Sequence, residues 1–153
     1  MKIKKKIVLI GMMGSGKSTI GALLSKKMNI KFIDLDQKIE TIEKQTISQI
    51  FKLKGEKYFR TIEVKTILSL LDSKEKELVL SLGGGSILDE KVRKNVKDNS
   101  LSFWLNWKPS TIIKRIRKSS KRPLIQGLNN QEIQKMMLDR NCLLYTSDAA
   151  DDP

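Results

Sequence analysis

Apolar residues along the chain follow two alternating rhythms. Short continuous runs, IVLI at 7–10, KFI at 31–33, LVLSL at 78–82 and LSFWL at 101–105, suit strands buried on both faces, as in a parallel sheet. Between them the spacing turns helical, first over 19–28. Strands alternating with helices form βαβ units. Parallel neighbours need long, right-handed crossovers, so helices are expected on both faces of one sheet, giving a three-layer α/β fold. The stretch between the second and third runs is longer than one crossover helix needs. There Ile47, Ile50, Phe51, Phe59, Ile62, Ile67, Leu68 and Leu71 recur near helical spacing, with Gly55 as a break, which predicts a small helical insertion over about 34–71. The segment KSSKRPLIQGL at 118–128 mixes small, polar and basic residues with Pro123 and Gly127 and reads as a mobile loop.

With 153 residues the chain has room for one sizeable core, and a single domain over 1–145 is expected. No apolar run approaches the about 20 residues that span a bilayer. The basic start before IVLI is like a secretory signal, but the run leads into a glycine motif rather than a cleavage site, so it reads as a core strand. One cysteine, Cys142, cannot form an internal disulfide, which suits a reducing, cytoplasmic setting. Histidine is absent, which leaves catalysis to Asp, Glu, Lys and Arg. The formal charge of +13 fits either nucleic acid or an anionic small substrate. Lys26, Lys27, Lys52, Lys54, Lys91, Lys94 and Lys97 lie on predicted helix faces without interleaved aromatics, so neither nucleic acid nor membrane is the expected partner, and a monomer is expected. The end TSDAADDP at 146–153 holds three of the 17 acidic residues and has no apolar periodicity. It is expected to be a non-native or disordered tail on a gene fragment truncated near 141.

Gly11-Met-Met13-Gly14-Ser15-Gly16-Lys17-Ser18 fits the pattern G-x-x-x-x-G-K-[ST], directly after a strand and before a helix. Residues 11 and 13–16 would turn main-chain N–H groups onto phosphate oxygens, and the following helix N-terminus favours the same anion. Lys17 is expected at the β- and γ-phosphates, Ser18 at Mg²⁺, and Thr19 beside the α-phosphate. This is the phosphate loop of a nucleotide-binding fold, with ATP as the expected nucleotide.

Three further segments narrow the reading. Asp34 and Asp36 follow the second strand at its carboxyl end, where ligands bind in open parallel sheets; they suit either that site or a helix N-cap. Gly55-Glu-Lys-Tyr-Phe-Arg60-Thr-Ile-Glu63 sets an arginine, whose planar fork suits a carboxylate, and a glutamate three residues apart on one helix face, where an ion pair on the surface is the plain reading. Ser81-Leu-Gly83-Gly84-Gly85 follows the third strand and allows close approach of backbone to ligand.

Taken in order over roughly 7–140, these motifs resemble the shikimate kinase family. The resemblance implies ATP-dependent phosphorylation of shikimate to its 3-phosphate, in the pathway of aromatic amino-acid precursors, on a P-loop NTPase fold with a substrate-binding helical insertion and a lid over about 117–128. It implies catalytic roles for Lys17, Asp36 and Arg122, with Asp36 on the acceptor hydroxyl and Arg122, in Lys121-Arg122-Pro123-Leu124, on the lid. Asp34 would join Ser18 around the metal, and Arg115 would stack on adenine. Arg60, Gly83, Gly84, Gly85 and Arg140 would hold the acceptor. Arg140-Asn141 matches the start of the family's R-N-P-L-Y segment, but Cys142 stands where the proline is expected. Other P-loop kinases, of gluconate or nucleoside monophosphate type, keep the same loop and lid, and a non-catalytic nucleotide-binding module is a further alternative.

Overall fold

In the computed structural model the described residues are 6–118, 125 and 127–149, those after 143 by their backbone alone. Four strands form one parallel sheet: β1 (Lys6–Ile10), β2 (Lys31–Asp34), β3 (Leu78–Ser81) and β4 (Leu101–Trp104). Their order is β2-β3-β1-β4, with Val8 opposite Leu80 and Ser102, and Asp34 opposite Ser81. The helices are α1 (Lys17–Met28), α2 (Leu35–Glu43), α3 (Ile47–Asp72), α4 (Glu90–Asn99), α5 (Pro109–Arg117) and α6 (Asn130–Ala149), with a 3₁₀ turn at Ser86–Leu88. Among the described residues, no helix is long and apolar enough to cross a membrane.

Successive strand residues point to opposite faces, and the core divides accordingly. Val8, Ile10, Ile33, Leu78 and Leu80 join Leu35 and Ile39 of α2, Ile50, Phe59 and Ile67 of α3, and Val92 and Val96 of α4. Ile7, Leu9, Val79 and Phe32 pack instead against Leu24 of α1. The central strands β1 and β3 are buried throughout, which is why both read as unbroken apolar runs. The edge strand β4 is different. Leu101 and Phe103 are 50% and 47% exposed.

The expected insertion between β2 and β3 consists of α2 and the long α3. Thr46 and Gln49 cap α3 reciprocally, and the helix is broken internally at Gly55, whose φ of 86° is open to glycine without strain. Its far end is tied to the sheet by a buried lysine. Lys6 Nζ donates to the carbonyls of Leu70, Leu71 and Ser73, taking up C-terminal acceptors that the helix cannot satisfy itself. The tail expected at 146–153 is described only to Ala149, where it continues the backbone of α6.

Candidate active site

The phosphate loop joins the buried end of β1 to the start of α1. Gly16 caps α1 in a left-handed conformation, φ 91°, that a side chain would strain. No side chain caps this terminus and its first turn holds no acid, so the helix N-terminus keeps its attraction for an anion. Lys17 is buried, its Nζ donating to the carbonyls of Gly11 at 2.7 Å and Met12 at 2.9 Å. Along the loop lies a cavity of about 580 Å³. Met13, Gly14, Ser15, Gly16, Lys17, Ser18 and Thr19 line one side of it, and Asp34, Asp36, Gly83 and Gly84 complete the wall.

The strand register explains this meeting. Parallel pairing sets the carboxyl ends of β2 and β3 side by side, Asp34 against Ser81, so the two acids and the glycine loop emerge at one edge. Asp34 caps a helix and also lies against the phosphate loop. Its Oδ1 caps α2 at Gln37 N, 3.2 Å away, and its Oδ2 accepts a hydrogen bond from Ser18 Oγ. Among the described residues no group of three His, Cys, Asp or Glu side chains is arranged to hold a metal alone.

Behind the glycine loop two arginines converge. Arg60 Nη1 donates to Glu63 Oε1 at 2.8 Å. Glu63 is only 2% exposed, so this is no surface ion pair. Its other oxygen accepts from Ser86 Oγ at 3.0 Å. Arg140, also buried, donates to the Gly84 carbonyl at 3.0 Å. Burial, and then the positive charge of Arg60, push Arg140 down to about 10, while Glu63 and Glu56 oppose the shift. It remains charged at neutral pH. Arg60 also has the half-exposed Glu56 at 3.7 Å, but among the described residues its buried carboxylate partner is Glu63. Two guanidiniums thus lie close to the glycine loop in a poorly solvated place, and their planar forks suit an incoming carboxylate.

The packing around the glycines is tight for the same reason. A Cβ on Gly85 would stand 2.6 Å from Arg60 Nη2, and one on Gly83 would stand 2.9 Å from Glu63 Oε2. Gly83 and Gly84 face the cavity, whereas Gly85 lies against Arg60.

At the other end of the cavity, Arg115 Nη1 donates to the Gly14 carbonyl at 3.1 Å. Its guanidinium lies over the ring of Trp107, 4.6 Å from the centroid. Trp107 was not legible as a site residue, since a lone aromatic in LNWKPS carries no spacing signal. Ser86 was missed likewise. Arg122 and most of the expected lid lie outside the described residues.

The shikimate kinase family model matches residues 13–151. A shikimate kinase of Bartonella henselae is 42% identical over 137 residues, 89% of this chain and 64% of the relative's length. One of Persephonella marina is 39% identical over 94% of this chain and 86% of its own. The structure of Acinetobacter baumannii shikimate kinase in complex with shikimate superposes with a TM-score of 0.87 at 32% identity, covering 94% of this chain and 79% of that one. With the phosphate loop, paired acids and arginine-lined glycine loop gathered at one sheet edge, and the match running nearly end to end, the chain belongs to the shikimate kinase family, enzymes that phosphorylate shikimate with ATP.

Proposed function

We propose that the chain transfers the γ-phosphoryl group of ATP directly to the 3-hydroxyl of shikimate, with no covalent enzyme intermediate. The observation that carries this reading is the pair of guanidiniums, Arg60 bonded to the buried Glu63 and Arg140 to the Gly84 carbonyl, beside a glycine loop that borders the phosphate cavity. A carboxylate held there by charge-assisted bonds would present its ring hydroxyls to Gly83, Gly84 and Gly85 and to Asp36.

On this reading Asp36 accepts the hydroxyl proton as the oxygen attacks phosphorus and the bond to the β-phosphate oxygen breaks. Lys17 exchanges its carbonyl partners, Gly11 and Met12, for phosphate oxygens, which strengthens its hold as charge spreads onto the transferred group. Main-chain groups of Gly11, Met13, Gly14, Ser15 and Gly16, with Thr19, orient the triphosphate. Arg115 contacts the adenine, and Arg122, assigned by resemblance alone, supplies a further positive charge from the lid and helps exclude water.

Mg²⁺ fits this donor set. Ser18 Oγ and the Asp34 carboxylate are hard oxygen ligands already in contact, too few for a closed protein cage and suited to an ion that is shared with phosphates. When bound, Mg²⁺ offsets phosphate charge. A monomer without nucleic-acid or membrane partners, in the cytoplasm, accords with this small-molecule chemistry.

ADP release with shikimate as acceptor tests the reading. Arg60→Ala should raise KM for shikimate about 10- to 100-fold, the worth of a charged hydrogen-bonding partner, and leave KM for ATP unchanged. An unaltered KM for shikimate would rule out the carboxylate clamp.

A further inference from the structure

We propose that Trp107 is part of the nucleotide site: its indole backs the guanidinium of Arg115, and the two together form the platform on which the nucleobase stacks. This deepens the assignment of Arg115 to the base and rests on it. Trp107 lines the cavity along the phosphate loop and is 42% exposed.

Its placement is fixed rather than loose. Trp107 Nε1 donates to the Ser15 carbonyl at 2.9 Å, and Arg115 Nη1 donates to the carbonyl of the neighbouring Gly14 at 3.1 Å. Both side chains are thus fastened to consecutive peptide units of the loop, and the guanidinium rests over the indole, 4.6 Å from its centroid. A planar cation stacked on an aromatic ring is held flat, at little entropic cost to a partner that arrives later. The partner that suits such a surface is a flat, uncharged, polarisable ring. In a site whose other end receives phosphates, that ring is a nucleobase.

The same contacts allow a plainer role, in which Trp107 merely braces the phosphate loop through Ser15. The two roles separate by ligand. Calorimetric titration of the full chain with Mg·ADP and with Mg·tripolyphosphate, which lacks a base, reads each end of the cavity independently. Trp107→Ala should weaken Mg·ADP about tenfold, within the range measured for loss of one base-stacking aromatic, and change tripolyphosphate by less than about twofold. Trp107→Phe loses the Nε1–H donor but keeps a ring beneath Arg115, so it should retain ADP affinity to within about threefold. Wild-type ADP binding by Trp107→Ala, or equal losses for both ligands, would overturn the proposal.

Should the alanine variant fail to fold, emission decides. Mg·ADP should quench tryptophan fluorescence in the wild type and not in Trp107→Phe, where Trp104 is the remaining emitter, and tripolyphosphate should quench neither. Quenching that persists in Trp107→Phe would count against Trp107. Arg115→Ala is the separate control. If it too binds both ligands like the wild type, the base lies elsewhere and the assignment of Arg115 falls, whereas an ADP-selective loss there without one in Trp107→Ala sinks only the role of Trp107.

Discussion

The two ends of the site are built by different means. The phosphate end is made from one contiguous stretch, residues 11–19, in which main-chain geometry and a helix terminus are proposed to do the binding. The proposed acceptor end is made from side chains of α3, the 3₁₀ turn and α6, brought together by packing, Arg60 and Ser86 on the buried Glu63 and Arg140 on the Gly84 carbonyl. A local device tolerates change elsewhere in the protein; an assembled one depends on every element that delivers a charge to it. The contrast predicts that damage at the first end appears in turnover and damage at the second in acceptor affinity.

The strongest break is expected at Lys17. Lys17→Ala should lower kcat by about 100-fold or more with KM for shikimate little changed, as measured by steady-state ADP release, because a preorganised charge next to the transferred group acts mainly in the transition state. A loss confined to shikimate KM would contradict the division. An intermediate effect is expected from Gly85→Ala. The added methyl group would stand 2.6 Å from the Arg60 guanidinium, which is the far end of a flexible side chain and can yield. The fold should survive, KM for shikimate should rise about tenfold, and calorimetric ADP affinity should stay unchanged.

The smallest effect belongs outside both ends. Glu43, at the end of α2, accepts hydrogen bonds from Lys54 and Tyr58 of α3, and its carboxyl is held below the ordinary value of 4.5, chiefly by the bond from Lys54. A lowered folded-state value means that the contribution is present above pH 4.5 and is lost as pH falls through the lowered value. Glu43→Gln should therefore leave both KM values alone and reduce Tm slightly at pH 7, and that difference should close in acid. A Glu43→Gln variant with altered kinetics would show that the network between α2 and α3 reaches the site.

What could be read in the sequence divides along the same line. The strands were legible because β1 and β3 are buried on both faces and leave unbroken apolar runs, and the phosphate loop because its chemistry is consecutive. The helical insertion was found from spacing, and Gly55, non-helical at φ 86° and ψ 168°, interrupts α3 as expected. The pairing of Arg60 with Glu63 was suggested by their separation of three. That Glu63 is buried and also held by Ser86, 23 residues away, was not, since only the packing of α3 on the glycine loop decides it. Trp107 is 92 residues from the carbonyl that orients it, beyond any local pattern. Lys6 sits in a basic opening that looks solvated, yet it is buried against the end of α3, because the carbonyls that need it come from a distant helix.

Among the described residues nothing pairs with the outer side of β4, which bears on how these residues behave in concentrated solution. Its outer backbone groups and the half-exposed Leu101 and Phe103 offer a template to another strand. The net charge of +13 works against such an encounter at low ionic strength, where like-charged molecules repel over tens of ångströms. Added salt shortens that reach to about 10 Å at 0.1 M, so colloidal stability should decline as the buffer is made more saline, the reverse of the usual expectation that salt keeps a basic protein dispersed.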